Sequence, residues 1–363
     1  MIRPVVAVLS LLLALAPAAW AQEEKVLNVY NWSDYIAEDV LKRFTERTGI
    51  KVNYDVYDSN EILEAKLSAG RSGYDLVFPT SSPFFGRQIK AGLYQKLDRG
   101  KIKNFAKVDR AVLDRLKTVD PENAHGLPYM MAGTGIGYNV ERLKALAPDV
   151  PRDSLALLFD RKHLFRLKGC GVTLLDAPEE VLPAALAYLG RNPISSEAAD
   201  LDAAVDLVTK VRPNYRYIHS SAYINDLANG ATCVAMGYAG DLVQARDRAR
   251  AAKRGVELGI FLPKEGAAYN IDVMAIPKDA PHPGNAHLFI DFLLEPENIA
   301  AISNVVGYAN AVGESAALVK RELRDDPVVY PPASLKLYSV PEVGKDFERQ
   351  RNRAWSRIKA KRS

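Results

Sequence analysis

From Lys25 onward the chain alternates two hydrophobic periods, and this alternation constrains the fold more than any other feature. The run "KVLNVYNW" reads as a buried strand, and the following "YIAEDVLKRFTERTG" places Ile36, Val40, Leu41 and Phe44 on one helical face with Gly49 as the stop. A strand "IKVNYDVYD", a helix "SNEILEAKLSAG", a strand "YDLVFPT" and a helical pattern from "SPFFGRQIKAG" continue the series. A β-α-β-α-β order of this kind predicts a parallel sheet with helices on both faces.

A second α/β region follows the turn-rich "HGLPYMMAGTGIGYN": strand "CGVTLLD", three helical patterns from "EVLPAALAYLG" to "YINDLANG", and strand "TCVAMGY". The strand "YNIDVMAIP" and helix "NAHLFIDFLLEP" then return to the first type of unit. Two lobes joined by strands that cross between them account for this order. The length agrees, because 363 residues exceed what one core usually organises, and nearly half of them are apolar.

The first residues, "MIRPVVAVLSLLLALAPAAWAQ", carry Arg3, an apolar stretch from Val5 to Ala16 and a small-x-small ending at Ala19 to Ala21. They read as a secretory signal peptide over residues 1–21. A membrane anchor is the competing reading, but it needs roughly 20 apolar residues and this stretch is shorter. An exported, membrane-free product follows, and Cys170 and Cys233 are expected to form a disulfide rather than to stand as reactive thiols.

In open parallel sheets ligands sit beyond the carboxyl ends of strands. "YNWSDY", "FPTSS", "LLDAPEE", "GYAGD" and "NIDV" all lie at such points. The first combines aromatic faces with a carboxylate, which suits a cation carried on an apolar chain: the carboxylate pairs the charge and the rings cover the methylenes. Enzyme and cofactor signatures are missing. "GTGIGY" does not give G-x-G-x-x-G, there is no P-loop, H-E-x-x-H, C-x-x-C or G-x-S-x-G, and the five histidines are scattered. No cofactor and no metal are expected. With 48 basic and 44 acidic residues, no global field points to nucleic acid. The basic tail "GKDFERQRNRAWSRIKAKRS" reads as a terminal helix docked by Phe347, Trp355 and Ile358, with a nucleic-acid or membrane-surface helix as the sharper alternative.

"YNWSDYI", "YDVYDSNEILEAKL", "PYMMAGTGIGYN", "LLDAPEEVL", "YINDLANG", "GYAGD" and "YANA" together resemble the periplasmic polyamine-binding proteins of ABC transporters, the putrescine-binding branch most of all. The resemblance covers nearly all of the chain after residue 21. It implies a two-lobed periplasmic binding protein of type II, each lobe a mainly parallel sheet flanked by helices, with the ligand in the interlobe cleft. The lobes are expected over residues 22–131 with 262–311, and 132–261 with 312–363.

Residue by residue, the resemblance implies that Trp32, Ser33 and Asp34 contact the ligand with Tyr35 close by. Thr80 stands where the family usually has serine. Glu180 reaches one end of the amine, Tyr238 and Asp241 supply an aromatic wall and a carboxylate, Asp272 is the second carboxylate, and Tyr308 closes the site. Two positions depart from the putrescine branch: Tyr238 replaces a tryptophan, and Asn270 replaces an aromatic two residues before Asp272. Taken singly these residues have plainer readings, Asp34 as a helix cap and Glu180 as a first-turn carboxylate.

The implied function is capture of a polyamine, putrescine, spermidine or agmatine, and its delivery to an ABC permease and ATPase complex by a monomeric, non-enzymatic protein. A polyamine sensor subunit and a secreted amine-processing enzyme are the alternatives.

Overall fold

The computed structural model describes residues 23–360, so the expected signal peptide lies outside the described residues. Strand β1 (Val26–Trp32) pairs in parallel with β2 (Lys51–Tyr57) and β3 (Leu76–Val77), which is the β-α-β unit read from the alternation. The helix Glu38–Thr48 between β1 and β2 buries Val40 and Phe44 and carries Glu38 and Asp39 in its first turn. It ends at Gly49, whose φ of 70° lets its N–H reach the Thr45 carbonyl at 2.8 Å.

One long strand, β4 (Gly126–Asn139), belongs to two sheets. From Gly126 to Gly133 it runs antiparallel to the strand Ala267–Ala275, and from Thr134 to Tyr138 antiparallel to the strand Val234–Tyr238. In chain order the second sheet contains β5 (Val172–Leu174), β6 (Tyr217–Ile218), β7 (Val234–Tyr238) and β8 (Leu258–Phe261), with β5 parallel to β6 and β7. Strand β9 (Ala267–Ala275) returns the chain to the first sheet, β10 (Ala309–Asn310) pairs with the first half of β4, and β11 (Leu337–Tyr338) pairs with β9. The resulting order is β2-β1-β3-β9-β4-β7-β5-β6. Each sheet is therefore parallel in its β-α-β part and antiparallel where β4 and β9 enter it.

Two separate cores flank β4. Leu27, Val29, Phe44, Phe78, Tyr129 and Phe289 belong to the first; Leu174, Val181, Val208, Leu227 and Trp355 belong to the second. A smaller cluster of Val243, Ala300, Val319 and Leu323 joins the helix Ala239–Ala252 to the helix Pro296–Val306. The segment after β10 thus touches both lobes before the terminal helix Lys345–Ala360 docks on the second, where Trp355 Nε1 donates to Asp176 Oδ1 at 2.7 Å. This is the docked arrangement expected of the tail, although Glu348 of the same helix also reaches across to Arg87 of the first lobe. Among the described residues no helix is long and apolar enough to cross a membrane.

Cys170 and Cys233 form the expected disulfide, with Cα atoms 5.6 Å apart and 63 residues of separation. It ties the start of β5 to the start of β7 in the second lobe. Closing a loop of that length stabilises the fold by about 4 kcal/mol in the chain-entropy model. The double variant Cys170→Ala/Cys233→Ala is expected to lose up to that amount in urea unfolding, with the second lobe's amides losing exchange protection first.

Candidate ligand-binding site

The expected residues converge because each follows a strand end or opens a helix at the junction of the lobes. Trp32 ends β1, and Thr80 follows β3 as a bridge partner of Asp272. Asn270 and Asp272 lie two apart on β9 and share a face. From the second lobe, Glu180 sits in the first turn of the helix Pro178–Tyr188, and Asp241 in the first turn of the helix that starts just after Tyr238. Tyr308 follows Gly307, whose φ of 77° turns the chain out of the preceding helix.

Trp32, Ser33, Tyr35, Thr80, Glu180, Tyr238, Asp241, Asn270, Asp272 and Tyr308 all line one cavity between the lobes. Asp34 does not. Its backbone adopts φ 54°, which turns its side chain outward, where it is 45% exposed and pairs with Arg248 of the opposite lobe at 2.8 Å. Gln244 Nε2 donates to the Asp34 carbonyl at 3.2 Å from the same side. Asp34 therefore joins the lobes at the rim, while the turn it makes lets Tyr35 enter the cleft.

The cavity is built on carboxylates held by hydroxyls. Asp272 accepts from Tyr35 OH and Thr80 Oγ1, each at 2.7 Å. Asp241 accepts from Tyr223 OH and Tyr308 OH, again at 2.7 Å each. Glu180 accepts from Thr134 Oγ1 at 2.7 Å and Asn270 Nδ2 at 3.3 Å. Asn270 is fixed in turn by Ser339 Oγ, which donates to its Oδ1 at 2.7 Å. Aromatic faces complete the walls: Trp32 packs on Tyr57 at 4.6 Å between centroids, and the Tyr35 ring meets Tyr308 edge-on at 4.9 Å. A Cβ at Gly240 would lie 2.1 Å from the Tyr308 ring, so only glycine admits that tyrosine.

The electrostatics are one-sided. Glu179, Glu180, Asp241 and Asp272 are 8%, 6%, 8% and 6% exposed. Among the described residues none of the four forms an ion pair with a lysine, arginine or histidine. Burial raises Asp241 and Asp272 to about 6 and Glu180 to about 7, against the hydrogen bonds that favour their ionised forms. Among the described residues no group of His, Cys, Asp and Glu is placed to hold a metal ion.

Sequence reasoning missed Thr134, Tyr223 and Glu179. Thr134 and Tyr223 act by holding another residue's carboxylate, a relation with no local signal, although Thr134 lies in the "PYMMAGTGIGYN" block and Tyr223 in the "YINDLANG" block. Glu179 stands beside the expected Glu180, and only its burial in the cavity wall separates it from an ordinary first-turn carboxylate.

Because folding raises these carboxyl pKa values, the folded protein binds more protons than the unfolded chain between about pH 4 and 7. Their contribution to stability therefore falls as pH rises through that window, on a scale of about 1.4 kcal/mol per pKa unit for each group. Thermal unfolding of the protein alone, followed from pH 8 down to 5.5, is expected to shift upward in the wild type and to shift less in Asp241→Asn/Asp272→Asn.

The sequence profile of the bacterial extracellular solute-binding protein family matches residues 39–329. The chain is 48% identical over 350 residues to the putrescine-binding periplasmic protein SpuD of Pseudomonas aeruginosa, covering 96% of this chain and 95% of that one. It is likewise 48% identical over 353 residues to the putrescine-binding periplasmic protein PotF of Escherichia coli, with 96% and 95% covered. A solved structure described as a putative spermidine/putrescine ABC transporter from Listeria monocytogenes superposes with a TM-score of 0.83 at 30% identity, covering 93% of this chain and 99% of that one. With its two sheets sharing β4 and an acidic, aromatic cavity between them, the chain belongs to the family of bacterial extracellular solute-binding proteins.

Proposed function

We propose that this protein captures a short polyamine in the periplasm and presents it to an ABC permease and its ATPase. The observation that carries this reading is the set of buried carboxylates, on both lobes, which form no ion pair with a lysine, arginine or histidine among the described residues. Burying an unpaired carboxylate costs several kcal/mol, and a cationic ligand removes that cost while the tyrosine and tryptophan faces cover its methylenes. Asp272 with Tyr35 and Thr80 forms the station on the first lobe; Asp241 with Tyr223, and Glu180 with Thr134, form stations on the second. The relatives' names and the shared architecture support periplasmic binding of a polyamine for ABC transport; in this reading the protein is a monomer that returns its ligand unchanged.

The mechanism follows from the position of the stations. In this reading the lobes, residues 22–131 with 262–311 and residues 132–261 with 312–363, rotate about the crossing strands. The ligand contacts both carboxylate sets only in the closed state, and that differential contact shifts the equilibrium toward closure. Arg248 on Asp34 adds a rim contact of the same closed form.

Four outcomes are expected from calorimetric titration of protein stripped of ligand by unfolding and refolding. Putrescine binds one-to-one and is recovered unchanged, whereas its conversion to a product would favour the enzyme reading. Asp241→Asn or Asp272→Asn weakens binding by roughly 30-fold or more, since removing one partner of a buried charge pair costs about 2–5 kcal/mol; near-native affinity in both sinks the assignment. Gly240→Ala displaces Tyr308 from Asp241, lowers affinity at least tenfold, and lowers the urea midpoint because the buried ring is forced aside. In buffers of different ionisation enthalpy, binding at pH 6 releases protons, because the cation draws Asp241, Asp272 and Glu180 into their ionised forms.

A further inference from the structure

Glu179 is the one buried cleft carboxylate that the stations above do not use. It opens the helix Pro178–Tyr188 beside Glu180, is 8% exposed, and lines the cavity wall. The other three carboxylates each accept from two side chains of the protein. By contrast, Glu179 Oε2 is buried without any hydrogen-bond partner among the described residues. An acceptor left in that state is costly, and natural structures retain one where a ligand or water completes it.

The groups facing it come from three elements. Glu61, on the helix Asn60–Ser68 of the first lobe, and Glu180 add negative potential; Arg351 of the terminal helix adds positive potential. Arg351 is the competing structural partner, yet among the described residues its carboxylate within 4.0 Å is Glu348, at 3.8 Å. Burial first, and then Glu61, push the Glu179 carboxyl up from the usual range. The same cavity is also lined by Asn60, Ser82, Ser220 and Ser221, of which Asn60 is tied to Thr80 and Ser82 Oγ donates to the Val340 carbonyl.

We propose that Glu179 receives the third cationic nitrogen of a linear triamine, and so sets the preference of this cleft between diamines and triamines. The inference rests on the polyamine reading of the site and assigns a specificity role to a residue outside the expected set. A diamine leaves the Glu179 oxygen uncompleted, whereas a third ammonium supplies both the missing donor and the opposing charge.

The test is titration of wild-type protein, Glu179→Gln and Glu179→Asp with putrescine and with spermidine. In Glu179→Gln the ratio of spermidine to putrescine affinity is expected to fall at least tenfold, and in Glu179→Asp, which withdraws the charge by one methylene, to fall by less. An unchanged ratio in both variants overturns the inference, including the case where their thermal midpoints drop together, which is what a purely structural pairing with Arg351 produces. Wild-type protein that binds putrescine but not spermidine also overturns it, and leaves the diamine reading standing. Binding of neither amine by the wild type overturns the polyamine reading and this inference with it.

Discussion

Four desolvated carboxylates facing one another across a cleft set the terms for the rest of this structure. Left alone, such groups repel and pay for lost hydration, and the protein offsets part of that cost with hydroxyl donors: Tyr35 and Thr80 on Asp272, Tyr223 and Tyr308 on Asp241, Thr134 on Glu180. Neutral donors hold the oxygens in place without supplying the missing positive charge. In the polyamine reading proposed above, the cleft is thereby pre-organised for a cation, and a bound ligand stabilises the state in which it meets both lobes.

The two-sheet plan makes that arrangement possible. Because β4 runs through both sheets, with the register changing partner between Gly133 and Thr134, the lobes are joined covalently along a strand at the floor of the cleft. At the rim the Asp34–Arg248 pair and the Gln244 bond to the Asp34 carbonyl join the lobes. Exposed pairs of this kind contribute roughly 0.2–1 kcal/mol. A contact that small adds little to what holds the lobes together, which in the proposed mechanism leaves control of closure with the ligand.

The two departures from the putrescine pattern acquire distinct meanings. Tyr238 keeps an aromatic face at the end of β7, and its backbone N–H bonds to Tyr223 OH at 3.0 Å, so the wall and the support of Asp241 are one unit. Asn270 does something an aromatic ring cannot: it passes a hydrogen bond from Ser339, beside the β11 strand, to Glu180 on the other lobe. The amide thus ties the position of one carboxylate to the segment that follows the first lobe's last strand.

The order of strands and helices was legible in the sequence because hydrophobic period is a local property: β1 and the helix after it read directly from Leu27, Val29, Val40 and Phe44. The residues that line the cavity were legible because their blocks together resemble a known family; taken singly, an acidic residue at a helix start reads as a cap or a first-turn carboxylate. Three matters needed the tertiary structure. Asp34 turned out of the cleft because its own backbone takes a left-handed conformation, which neighbouring residues in the sequence do not dictate. Thr134 and Tyr223 became part of the site only through carboxylates 46 and 18 residues away. Glu179 and Glu180, identical in type and adjacent in the chain, were separated by the donors that other elements bring to one and not to the other. The sequence by itself determined which residues could bind a cation, through their chemistry; the fold alone decided which of them are desolvated, which are already satisfied and which still need a partner, since those depend on contacts made across the whole chain.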